Sequence, residues 1–479
     1  MKARLMPLYR RLSPRLRSLV GTVYGYYLAR WRYGPETDRL VAEALERERW
    51  SASRWSGWQE ERLAKILHHA RHHVPYYRDL WDARQRAGDQ RTWEDLSNWP
   101  VLTKEVVREQ PRAFVADDAR STPLFRLETS GTSGTPVTTW RSRKTMRAWY
   151  ALFEARSRRW YGVTRHDRWA ILGGQEVVPA TRTEPPFWLW NAASRQLYLS
   201  TMHVSAANAQ AYLDALRRYR VVHLYGYSSS LAALARATLD GGLDAPRMVA
   251  VVTNAEPLTP HQRELISRTF GCPTYASYGM SEAVAYASEC SEGELHLWPE
   301  AGVVEVLDDD RDVPVAAGEP GRLICTGLLN TEMPLIRYEV GDRGALADHG
   351  AACACGRTMP RIASIEGRNN DSIVTADGRR VFWLNPVFYG LPLHEAQVVQ
   401  RTTTKVVVNV VPAEGFDAST RATIVQRMRH RVGDVEVDVQ ELASIPRGPN
   451  GKFRFVVSEV PEVSGRAGVH EPTAGATSS

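Results

Sequence analysis

One run of six small residues is the part of this sequence best suited to holding a phosphate. It follows the apolar, strand-like run LFRL and consists of Ser130, Gly131, Thr132, Ser133, Gly134 and Thr135. Glycines let backbone N–H groups turn inward around an anion, and the hydroxyls add donors. The lysine of a GxxxxGK[ST] loop is missing, so this is not a P-loop. The run predicts a phosphate cradle, and the alternative interpretation is a polar linker.

Two carboxylates follow short strand-like runs further along the chain. Glu282 lies in YGMSEA, just after Tyr278 and Gly279, and Asp342 follows a glycine in RYEVGD. A carboxylate at the C-terminal end of a strand can hold a cation at a nucleotide site. An aspartate can accept two hydrogen bonds from a ribose diol. Each signal is weak alone, because Gly-Asp is a common turn.

A lysine near the C-terminus stands out against the composition. The 61 basic residues comprise 55 Arg and only 6 Lys, and one of these lysines, Lys452, lies in the glycine-rich turn PRGPNGKFRF. A position that needed only positive charge would usually be arginine in this chain. We therefore interpret Lys452 as a functional residue.

Two close pairs of soft ligands suggest a metal site. Cys290 and His296 lie in ECSEGELH, and Cys353 and Cys355 lie in ACACGR. Three thiolates and one imidazole would complete a tetrahedral zinc site. The spacing is less diagnostic than paired CxxC motifs, and a buried free cysteine with a chance CxC turn is the alternative. Both interpretations stay open at this point.

The elements that must position these residues alternate between short apolar runs and helical patterns. Strands are predicted at 169–174, 221–226, 249–254, 273–279, 295–298, 302–307 and 322–327. Helices are predicted across 36–90 and at 144–160, 205–220, 228–239 and 260–269. This alternation is typical of an α/β domain with a mostly parallel sheet. The last ~100 residues carry their own strands (406–411, 435–439) and a helix (418–432), which predicts a small α+β domain.

The predicted organisation has four parts. A basic N-terminal segment (1–35) precedes a large domain (36–366), which is followed by a small C-terminal domain (367–462) and a disordered tail (463–479). Residues 1–32 contain eight basic residues and no acid, interleaved with apolar and aromatic side chains. Such a segment can lie on an anionic membrane surface, or it can be a helix packed on its own domain. Both interpretations are kept.

Composition excludes several classes of protein. With 43% hydrophobic and 24% charged residues, the chain has enough apolar material to fold. No apolar run approaches the ~20 residues of a membrane helix, and no signal peptide is visible. We expect a cytoplasmic protein with reduced cysteines, in contact with the inner face of the membrane if the basic segment binds lipid. The net charge of +7 reflects arginine use throughout the chain, and no nucleic-acid-binding module is found.

The order of these segments resembles the adenylate-forming superfamily. The nearest likeness is to the phenylacetate–coenzyme A ligase family, including its capsular-polysaccharide-associated branch. It spans about residues 36–456 and is carried by VPYYR (74–78), WPVLTK (99–104), TSGTSGTP, YGYSSSL (225–231), NAEPL (254–258), YGMSE, RYEVGD, CACGRTMPRI (353–362), EGRNND (366–371), AQVVQ (396–400) and the GK turn. The implied fold is a large adenylation domain joined by a hinge to a small C-terminal domain.

The resemblance implies a role for each site residue. Ser130 through Thr135, with Thr132 as a catalytic member, would hold the ATP phosphates and the departing pyrophosphate. For the nucleotide, the resemblance implies adenine binding by Glu256, Pro257, Tyr278 and Gly279, and ribose binding by Asp342 with Arg357 or Arg368. Glu282 would bind Mg²⁺, and Lys452 would contact the carboxylate and the α-phosphate. The acid would be bound by Tyr225, Gly226 and Tyr227. Such a set counters the repulsion between a carboxylate and a triphosphate.

The implied activity is ATP-dependent activation of a small carboxylic acid, aryl or hydrophobic, followed by acyl transfer. The acceptor implied by the family is coenzyme A; an amine or hydroxyl of another metabolite is an alternative. A catalytically silent, membrane-associated scaffold of the same fold is a further alternative. The chain departs from the superfamily pattern in two places: Val137 and Thr138 stand where many members have a lysine, and Asn370, beside Asp371, occupies the usual hinge aspartate position.

Overall fold

The computed structural model describes residue 9 and residues 12–129, 136–179, 181–348, 353–368, 373–376, 379–381, 384–448 and 451–460. These residues form two compact units. The first runs to Gly367 and includes Arg447–Phe453, and the second comprises Arg368–Pro446 and the residues from Arg454 onward. The predicted hinge residues Asn370 and Asp371 and the predicted disordered tail (463–479) lie outside the described residues.

Nine α-helices and fourteen strands of the described chain belong to the first unit. The helices are α1 (Pro14–Arg32), α2 (Thr37–Arg47), α3 (Ala52–His73), α4 (Pro75–Arg86), α5 (Lys104–Glu109), α6 (Arg143–Ser157), α7 (Ala209–Arg218), α8 (Ser228–Asp240) and α9 (Pro260–Phe270). The strands are β1 (Phe125–Glu128), β2 (Thr138–Arg141), β3 (Trp169–Gly173), β4 (Trp188–Asn191), β5 (Gln196–Ser200), β6 (His223–Tyr227), β7 (Ala250–Asn254), β8 (Thr274–Gly279), β9 (Tyr286–Glu289), β10 (Leu295–Leu297), β11 (Gly302–Leu307), β12 (Gly321–Gly327), β13 (Tyr338–Leu346) and β14 (Arg361–Arg368).

Twelve of these strands form one mixed sheet, in the order β11-β12-β13-β14-β10-β9-β8-β7-β6-β3-β5-β4. Strands β3, β5, β6, β7 and β8 run parallel to their neighbours within this group. Helices α7, α8 and α9 contribute to the apolar core that covers this parallel part. The predicted α/β class is therefore confirmed.

Parallel pairing ends at β8. Strand β9 pairs antiparallel with β8, and antiparallel pairs continue through β10 with β14 and through β11, β12 and β13. Consecutive strands joined by short connections must reverse direction, since a parallel pair needs a crossover of a dozen or more residues. The sheet therefore has a parallel part, which carries strand ends suited to ligand binding, and an antiparallel part.

The second unit is small and has its own core. A four-stranded sheet runs in the order β19-β18-β17-β20, and a two-stranded sheet pairs β15 with β16. Its elements are β15 (Ile373–Val374), β16 (Arg380–Val381), β17 (Leu393–Thr402), β18 (Lys405–Pro412), α10 (Ala418–Val432), β19 (Glu436–Glu441) and β20 (Val456–Ser458). Buried Val398, Val408, Ile424 and Met428 form part of the core between helix and sheet. The predicted small α+β domain is confirmed.

Local sequence signals define several element ends. Helix α9 begins at Pro260 after Thr259, whose hydroxyl accepts from the backbone N–H of Gln262, while the Gln262 side chain bonds back to the backbone of Thr259. The helix ends at Gly271, whose φ of 61° lies in the left-handed region. This capping box and terminal glycine satisfy backbone groups that the helix leaves unpaired. The order of strand, helix and strand around α9 therefore follows directly from the sequence.

Candidate active site

The ends of three parallel strands form the edge of the sheet on which the predicted adenine-binding and acid-binding residues lie. Strand β6 ends at Tyr227, and β8 ends with Tyr278 and Gly279. Between them, β7 ends at Asn254, and Tyr227 lies opposite Asn254 in the register of β6 and β7. Ligands in open α/β sheets bind at the carboxyl ends of the strands. The fold therefore brings predicted nucleotide-binding and acid-binding residues to one edge.

Tyr278 and Asp342 come from opposite parts of the sheet and meet at this edge. The Tyr278 hydroxyl donates to Oδ2 of Asp342 at 2.9 Å. Asp342 lies in β13, one residue after Gly341, whose φ is 76°. The family resemblance implied an adenine role for Tyr278 and a ribose role for Asp342, and the structure places the two side chains in direct contact.

Glu256 is held by backbone donors from two segments. Its Oε2 accepts from the backbone N–H of Ser229 at 3.0 Å, and its Oε1 accepts from the backbone N–H of Phe453 at 2.8 Å. Ser229 lies in the first turn of α8, where helix N–H groups are unpaired and favour a negative charge. The Ser228 hydroxyl donates to the Pro257 carbonyl at 2.7 Å and fixes the rest of this turn.

Lys452 lies within the same unit as this carboxylate. Its turn is closed by two backbone bonds, Gly448 N–H to the Lys452 carbonyl and Gly451 N–H to the Gly448 carbonyl, each 2.9 Å. The Lys452 Nζ lies 5.6 Å from the centroid of the Tyr227 ring. Because the Phe453 N–H bonds to Glu256, the predicted catalytic lysine is positioned beside the predicted acid-binding and adenine-binding residues.

Glu282 is a buried carboxylate with a phenol partner. The Tyr338 hydroxyl donates to Glu282 Oε1 at 2.9 Å, and burial beside this carboxylate raises the pKa of Tyr338. The charge of Glu282 also faces Arg141, a guanidinium whose pKa is lowered by burial to about 10 despite that carboxylate. The Arg141 guanidinium donates to the carbonyl of Ser281. Neither Tyr338 nor Arg141 was predicted as a site residue, although Tyr338 is the tyrosine of the RYEVGD motif.

Backbone conformation at both carboxylates is unusual. Ala255, just before Glu256, has a φ of 61°, and Ala283, just after Glu282, has a φ of 57°. A residue with a β-carbon rarely adopts this left-handed conformation. Strained backbone of this kind is concentrated at functional sites, where the surrounding structure maintains it.

The three predicted acid-binding residues of β6 differ in what surrounds them. The Tyr225 hydroxyl lies 2.7 Å from that of Tyr286, and burial raises the pKa of Tyr225 well above its ordinary value. A β-carbon on Gly226 would lie 2.2 Å from the Leu172 carbonyl oxygen of neighbouring β3. Burial, together with the negative charge of Glu256, raises the pKa of Tyr227 to about 12. The need for glycine at 226 is thus explained by strand packing.

The phosphate loop itself is not described. Ser130, Gly131, Thr132, Ser133, Gly134 and Thr135 lie outside the described residues, and the hairpin of β1 and β2 leads into and out of them. Glu128 pairs with Thr138, and the backbone N–H of Thr129 donates to the Val137 carbonyl at 3.0 Å. The six residues therefore connect two strands that are paired up to the loop.

The contacts of Arg357 differ from those that the family resemblance implies. The resemblance placed it or Arg368 beside the ribose aspartate, but the contacts of Arg357 are elsewhere. Its Nε donates to Glu48 Oε2 at 3.2 Å, and its guanidinium lies 3.9 Å from the centroid of the Trp160 ring. A partly buried carboxylate and a flat aromatic face are strong partners for a guanidinium. Arg368 is the last residue of β14, and its side chain lies outside the described part of the structure.

The two pairs of predicted zinc ligands meet in space. One ligand atom from each of Cys290, His296, Cys353 and Cys355 lies within 4.8 Å of all the others. The Cys290 and Cys353 sulfurs are 3.8 Å apart, and the Cys355 sulfur is 3.4 Å from His296 Nε2. Sulfurs bound tetrahedrally to one zinc at ~2.3 Å are about 3.8 Å apart.

Strand pairing explains how these ligands come together. Cys290 follows β9, and His296 lies in β10, which pairs antiparallel with both β9 and β14. His296 is opposite Arg361 at the start of β14, shortly after Cys353 and Cys355. The other ring nitrogen of His296, Nδ1, lies 3.4 Å from the Met359 carbonyl, the outer contact expected of a metal-bound imidazole. The donor set and its geometry fit zinc.

A separate cleft lies away from these residues. It has a volume of about 630 Å³ and is lined by Arg112, Val115, Arg120, Thr122, Leu124 and Trp140. Leu124 and Trp140 belong to the end of the β1–β2 hairpin opposite the phosphate loop. Among the residues that the structure describes, none of the predicted site residues line this cleft.

Two family models match the sequence. The model described as "AMP-binding enzyme" matches residues 55–332, more than half of the chain, and the model described as "CapK C-terminal domain" matches residues 373–459. The chain belongs to the AMP-binding enzyme family. The predicted membership of the adenylate-forming superfamily, in the branch that contains phenylacetate–coenzyme A ligases and CapK, is confirmed. So is the prediction that the chain is an enzyme of the adenylate-forming ligase class.

Relatives of similar length agree with this assignment. Protein CapK of Staphylococcus aureus is 24% identical over 412 residues, which cover 84% of this chain and 89% of CapK. Phenylacetate-coenzyme A ligase of Thermus thermophilus is 26% identical over 473 residues, which cover 89% of this chain and 99% of the relative. The shared length includes both units of this AMP-binding family member.

Solved structures share the fold. A 2-hydroxyisobutyryl-CoA ligase in the postadenylation state, in complex with 2-HIB-AMP, matches with a TM-score of 0.63 at 21% identity, covering 86% of this chain and 91% of that one. The same ligase in an open conformation, with 2-HIB-AMP and CoA, gives a TM-score of 0.53 at 20% identity, covering 86% and 93%.

Proposed function

We propose that this protein is an ATP-dependent, AMP-forming ligase that converts a small aryl or hydrophobic carboxylic acid to an acyl-adenylate and transfers the acyl group to coenzyme A. One observation carries the proposal: the Lys452 segment lies beside Tyr227 and Glu256 at the carboxyl edge of the parallel strands. A cation at this edge can stabilise the charge that develops when a carboxylate attacks the α-phosphorus of ATP.

Each site residue would have a distinct role in the first half-reaction, the formation of the acyl-adenylate. The Tyr278–Asp342 pair would bind the nucleoside, since an aspartate held by a phenol can still accept from the ribose hydroxyls. Lys452 would bridge the attacking carboxylate and the α-phosphate. The loop from Ser130 to Thr135 would receive the pyrophosphate. Glu282 would hold Mg²⁺, which supplies positive charge against the pyrophosphate when it is bound.

The acid would lie along β6. Tyr227 offers an aromatic ring beside Lys452, and the ring of Tyr225 contacts that of Phe153 with centroids 5.8 Å apart. A carboxylic acid with an aryl or hydrophobic body suits such a surface, because aromatic side chains bury large apolar areas. The hydroxyls of half-buried Tyr225 and buried Tyr286 bond to each other, so neither requires a polar group from the acid.

We also propose that Cys290, His296, Cys353 and Cys355 hold one structural zinc ion. The four ligands leave no coordination position open for substrate, which is typical of structural rather than catalytic zinc. The ion would join the β9–β10 hairpin to the segment before β14 and so stabilise the antiparallel part of the sheet. It takes no part in the adenylation chemistry.

Pyrophosphate exchange across a panel of carboxylic acids tests the adenylation step. We expect acid-dependent exchange with at least one aryl or hydrophobic acid, and hydroxylamine should trap the acyl group as a hydroxamate. Absence of exchange with every acid, in folded protein that binds ATP, would favour the silent scaffold.

The acceptor needs a separate assay. Purified acyl-adenylate is supplied with coenzyme A, with amines or with sugar hydroxyls, and the released AMP is measured. Thioester formation supports the proposal. Acyl transfer only to an amine or hydroxyl would retain the adenylation step and replace the proposed acceptor.

A further inference from the structure

Helix α1 (Pro14–Arg32) turns its smallest side chains toward the rest of its unit. The Ser18 and Thr22 hydroxyls accept from the backbone N–H groups of Trp190 and Ala192, at 3.4 and 3.1 Å. Gly21 and Gly25 on the same face lie very close to strand β4. A β-carbon added to Gly21 would be 2.8 Å from the Leu189 side chain, and one added to Gly25 would be 2.3 Å from the Asn191 side chain. The inward face of α1 is therefore narrow, small and partly polar.

Most of the large apolar side chains of α1 point away from the protein, whereas Trp31 near its C-terminal end is buried. Of the eleven exposed large hydrophobic residues in the described chain, seven belong to this helix, with exposed fractions of 39–64%: Leu16, Leu19, Val20, Val23, Tyr24, Tyr26 and Tyr27. At 100° per residue these seven positions fall within an arc of about 160°. This arrangement is the reverse of an ordinary surface helix, whose apolar face covers the core. We call this face the outer face of α1.

The charge of this region indicates which kind of partner can cover the outer face of α1. Arg15 and Arg30 are exposed on the same side of the helix, and residues 1–32 contain eight basic residues and no acid. A second copy of this helix would bring like charges together. The preceding segment (1–11) is also acid-free, so it offers no opposite charge either. An anionic lipid surface supplies both the apolar medium and the negative charge.

We propose that α1 docks the protein on the surface of an anionic bilayer. The helix lies parallel to the membrane plane, with its apolar side chains among the lipid headgroups and upper acyl chains and with Arg15 and Arg30 near the phosphates. The exposed tyrosines suit this depth, since an aromatic ring with a polar hydroxyl prefers the membrane–water boundary. No helix of the described residues has the length and hydropathy to cross a bilayer. The proposal does not depend on the ligase activity.

Flotation of the full chain with lipid vesicles tests the proposal. The wild type should float with vesicles of phosphatidylcholine and phosphatidylglycerol, less at high salt, and much less with phosphatidylcholine alone, because salt screens surface attraction. Leu19→Glu with Val23→Glu should lower the partition coefficient at least about tenfold, since two apolar contacts are lost and two repulsive charges are added. Both side chains are exposed, so folding should be preserved.

Two further variants complete the test. Val313→Glu alters a similarly exposed valine in the same unit, outside α1, and should float like the wild type. Arg15→Gln with Arg30→Gln should weaken binding to phosphatidylglycerol and reduce its salt dependence. The proposal is overturned if the wild type does not float, or if Leu19→Glu with Val23→Glu floats as well as the wild type. It is also overturned if that variant instead converts a dimer to a monomer in sedimentation velocity, since the outer face would then bind a second copy.

Discussion

The Tyr278 hydroxyl bonds to the carboxylate of Asp342 across 64 residues of sequence and joins the last parallel strand to an antiparallel one. The bond restrains the rotamer of Asp342, a carboxylate that, in its proposed role, would otherwise have to be ordered when a nucleotide binds. It also leaves one oxygen of Asp342, Oδ1, out of the bond to Tyr278. A single phenol thus holds in place the carboxylate for which we propose a nucleoside-binding role.

Replacing Tyr278 by Phe should weaken ATP binding more than it slows chemistry. A hydrogen bond to a charged group contributes roughly 1.5–3 kcal/mol, so KM for ATP should rise about tenfold or more while kcat changes little. Steady-state pyrophosphate exchange at varied ATP measures both constants. Tyr275→Phe, on the same strand and stacked on Tyr161, is the control and should resemble the wild type. An unchanged KM in Tyr278→Phe would remove Asp342 and Tyr278 from the nucleoside site.

Lys452→Ala should separate the two half-reactions. Adenylate formation should fall by about 10²-fold or more, because a preorganised charge at the reacting phosphate is lost. Conversion of supplied acyl-adenylate to product should be nearly unchanged, since that step no longer forms the carboxylate–phosphate bond. Lys452→Arg should rescue poorly, because a planar guanidinium differs in shape and reach from an ammonium.

An exposed lysine of the small unit provides the control for this experiment. Lys405→Ala removes a residue paired with Glu436 and should leave both half-reactions at wild-type rates. Equal slowing of both half-reactions by Lys452→Ala would contradict a role confined to adenylation. No slowing of either would make Lys452 an ordinary turn residue.

Zinc should co-purify with the protein at about one ion per chain. Cys353→Ser should lower both the zinc content and the melting temperature, because a closed four-ligand site contributes to folding. Cys272→Ser, a buried cysteine outside the cluster, should retain the metal. Elemental analysis of freshly purified protein, prepared without chelators, decides the point: a metal-free sample that is folded would disprove the site.

Gly226→Ala should destabilise the fold. The new β-carbon would lie 2.2 Å from the Leu172 carbonyl oxygen, and neither strand can move without breaking the ladder between β3 and β6. Overpacking of this kind typically costs 1–3 kcal/mol, about several degrees in melting temperature. Gly57→Ala in helix α3, where a β-carbon meets nothing within 4 Å, should be neutral or stabilising. An unchanged melting temperature together with lost acid binding would instead assign Gly226 to the acid pocket.

We expect buried His223 to lower the free energy of unfolding as the pH falls below neutral. Burial, with a smaller contribution from the nearby charge of Arg158, lowers the pKa of this histidine to about 3. The unfolded chain takes up the proton near pH ~6.5, whereas the folded chain does not, so the contribution is present above ~6.5 and is lost as the pH falls toward 3. For this one group, the free energy of unfolding changes by at most about 1.4 kcal/mol per pH unit.

His223→Phe should flatten this dependence, because phenylalanine keeps the ring packing on Trp169 and removes the titrating group. Melting temperatures at pH 7 and pH 5 measure the effect. His430→Phe, at an exposed position of α10, should keep the wild-type acid slope. If His223→Phe loses as much stability between these pH values as the wild type does, another group causes the loss.

Much of the parallel half of the sheet could be predicted from the sequence. The apolar runs at 169–174, 249–254 and 273–279 became β3, β7 and β8 within one residue at each end, and the helices between them begin and end at clear signals. Strands β4 and β5 were not predicted. Strand β4 is only four residues, Trp188–Asn191, and closely follows two prolines, so its aromatic composition was too short a signal to predict a strand.

Proximity in space was harder to predict than residue type. The four zinc ligands were identified as two pairs, but only the pairing of β10 with both β9 and β14 shows that these pairs meet. Arg357 was misplaced for the same reason. It lies two residues after Cys355, and nothing in the sequence shows that Glu48 and Trp160 would be its partners. Packing between segments that are distant in sequence, rather than any local signal, decides both outcomes.

The two alanines in left-handed conformation have a consequence for how the site responds to substrate. Ala255 and Ala283 each cost roughly 1–2 kcal/mol relative to an ordinary backbone, yet neither is a glycine. A glycine there would remove the strain but would let the turn sample many geometries. With alanine, the turns that carry Glu256 and Glu282 have few other shapes to adopt. If Glu256 and Glu282 have the nucleotide and Mg²⁺ roles that we propose, the turns lose less conformational freedom on binding, because they are already stiff.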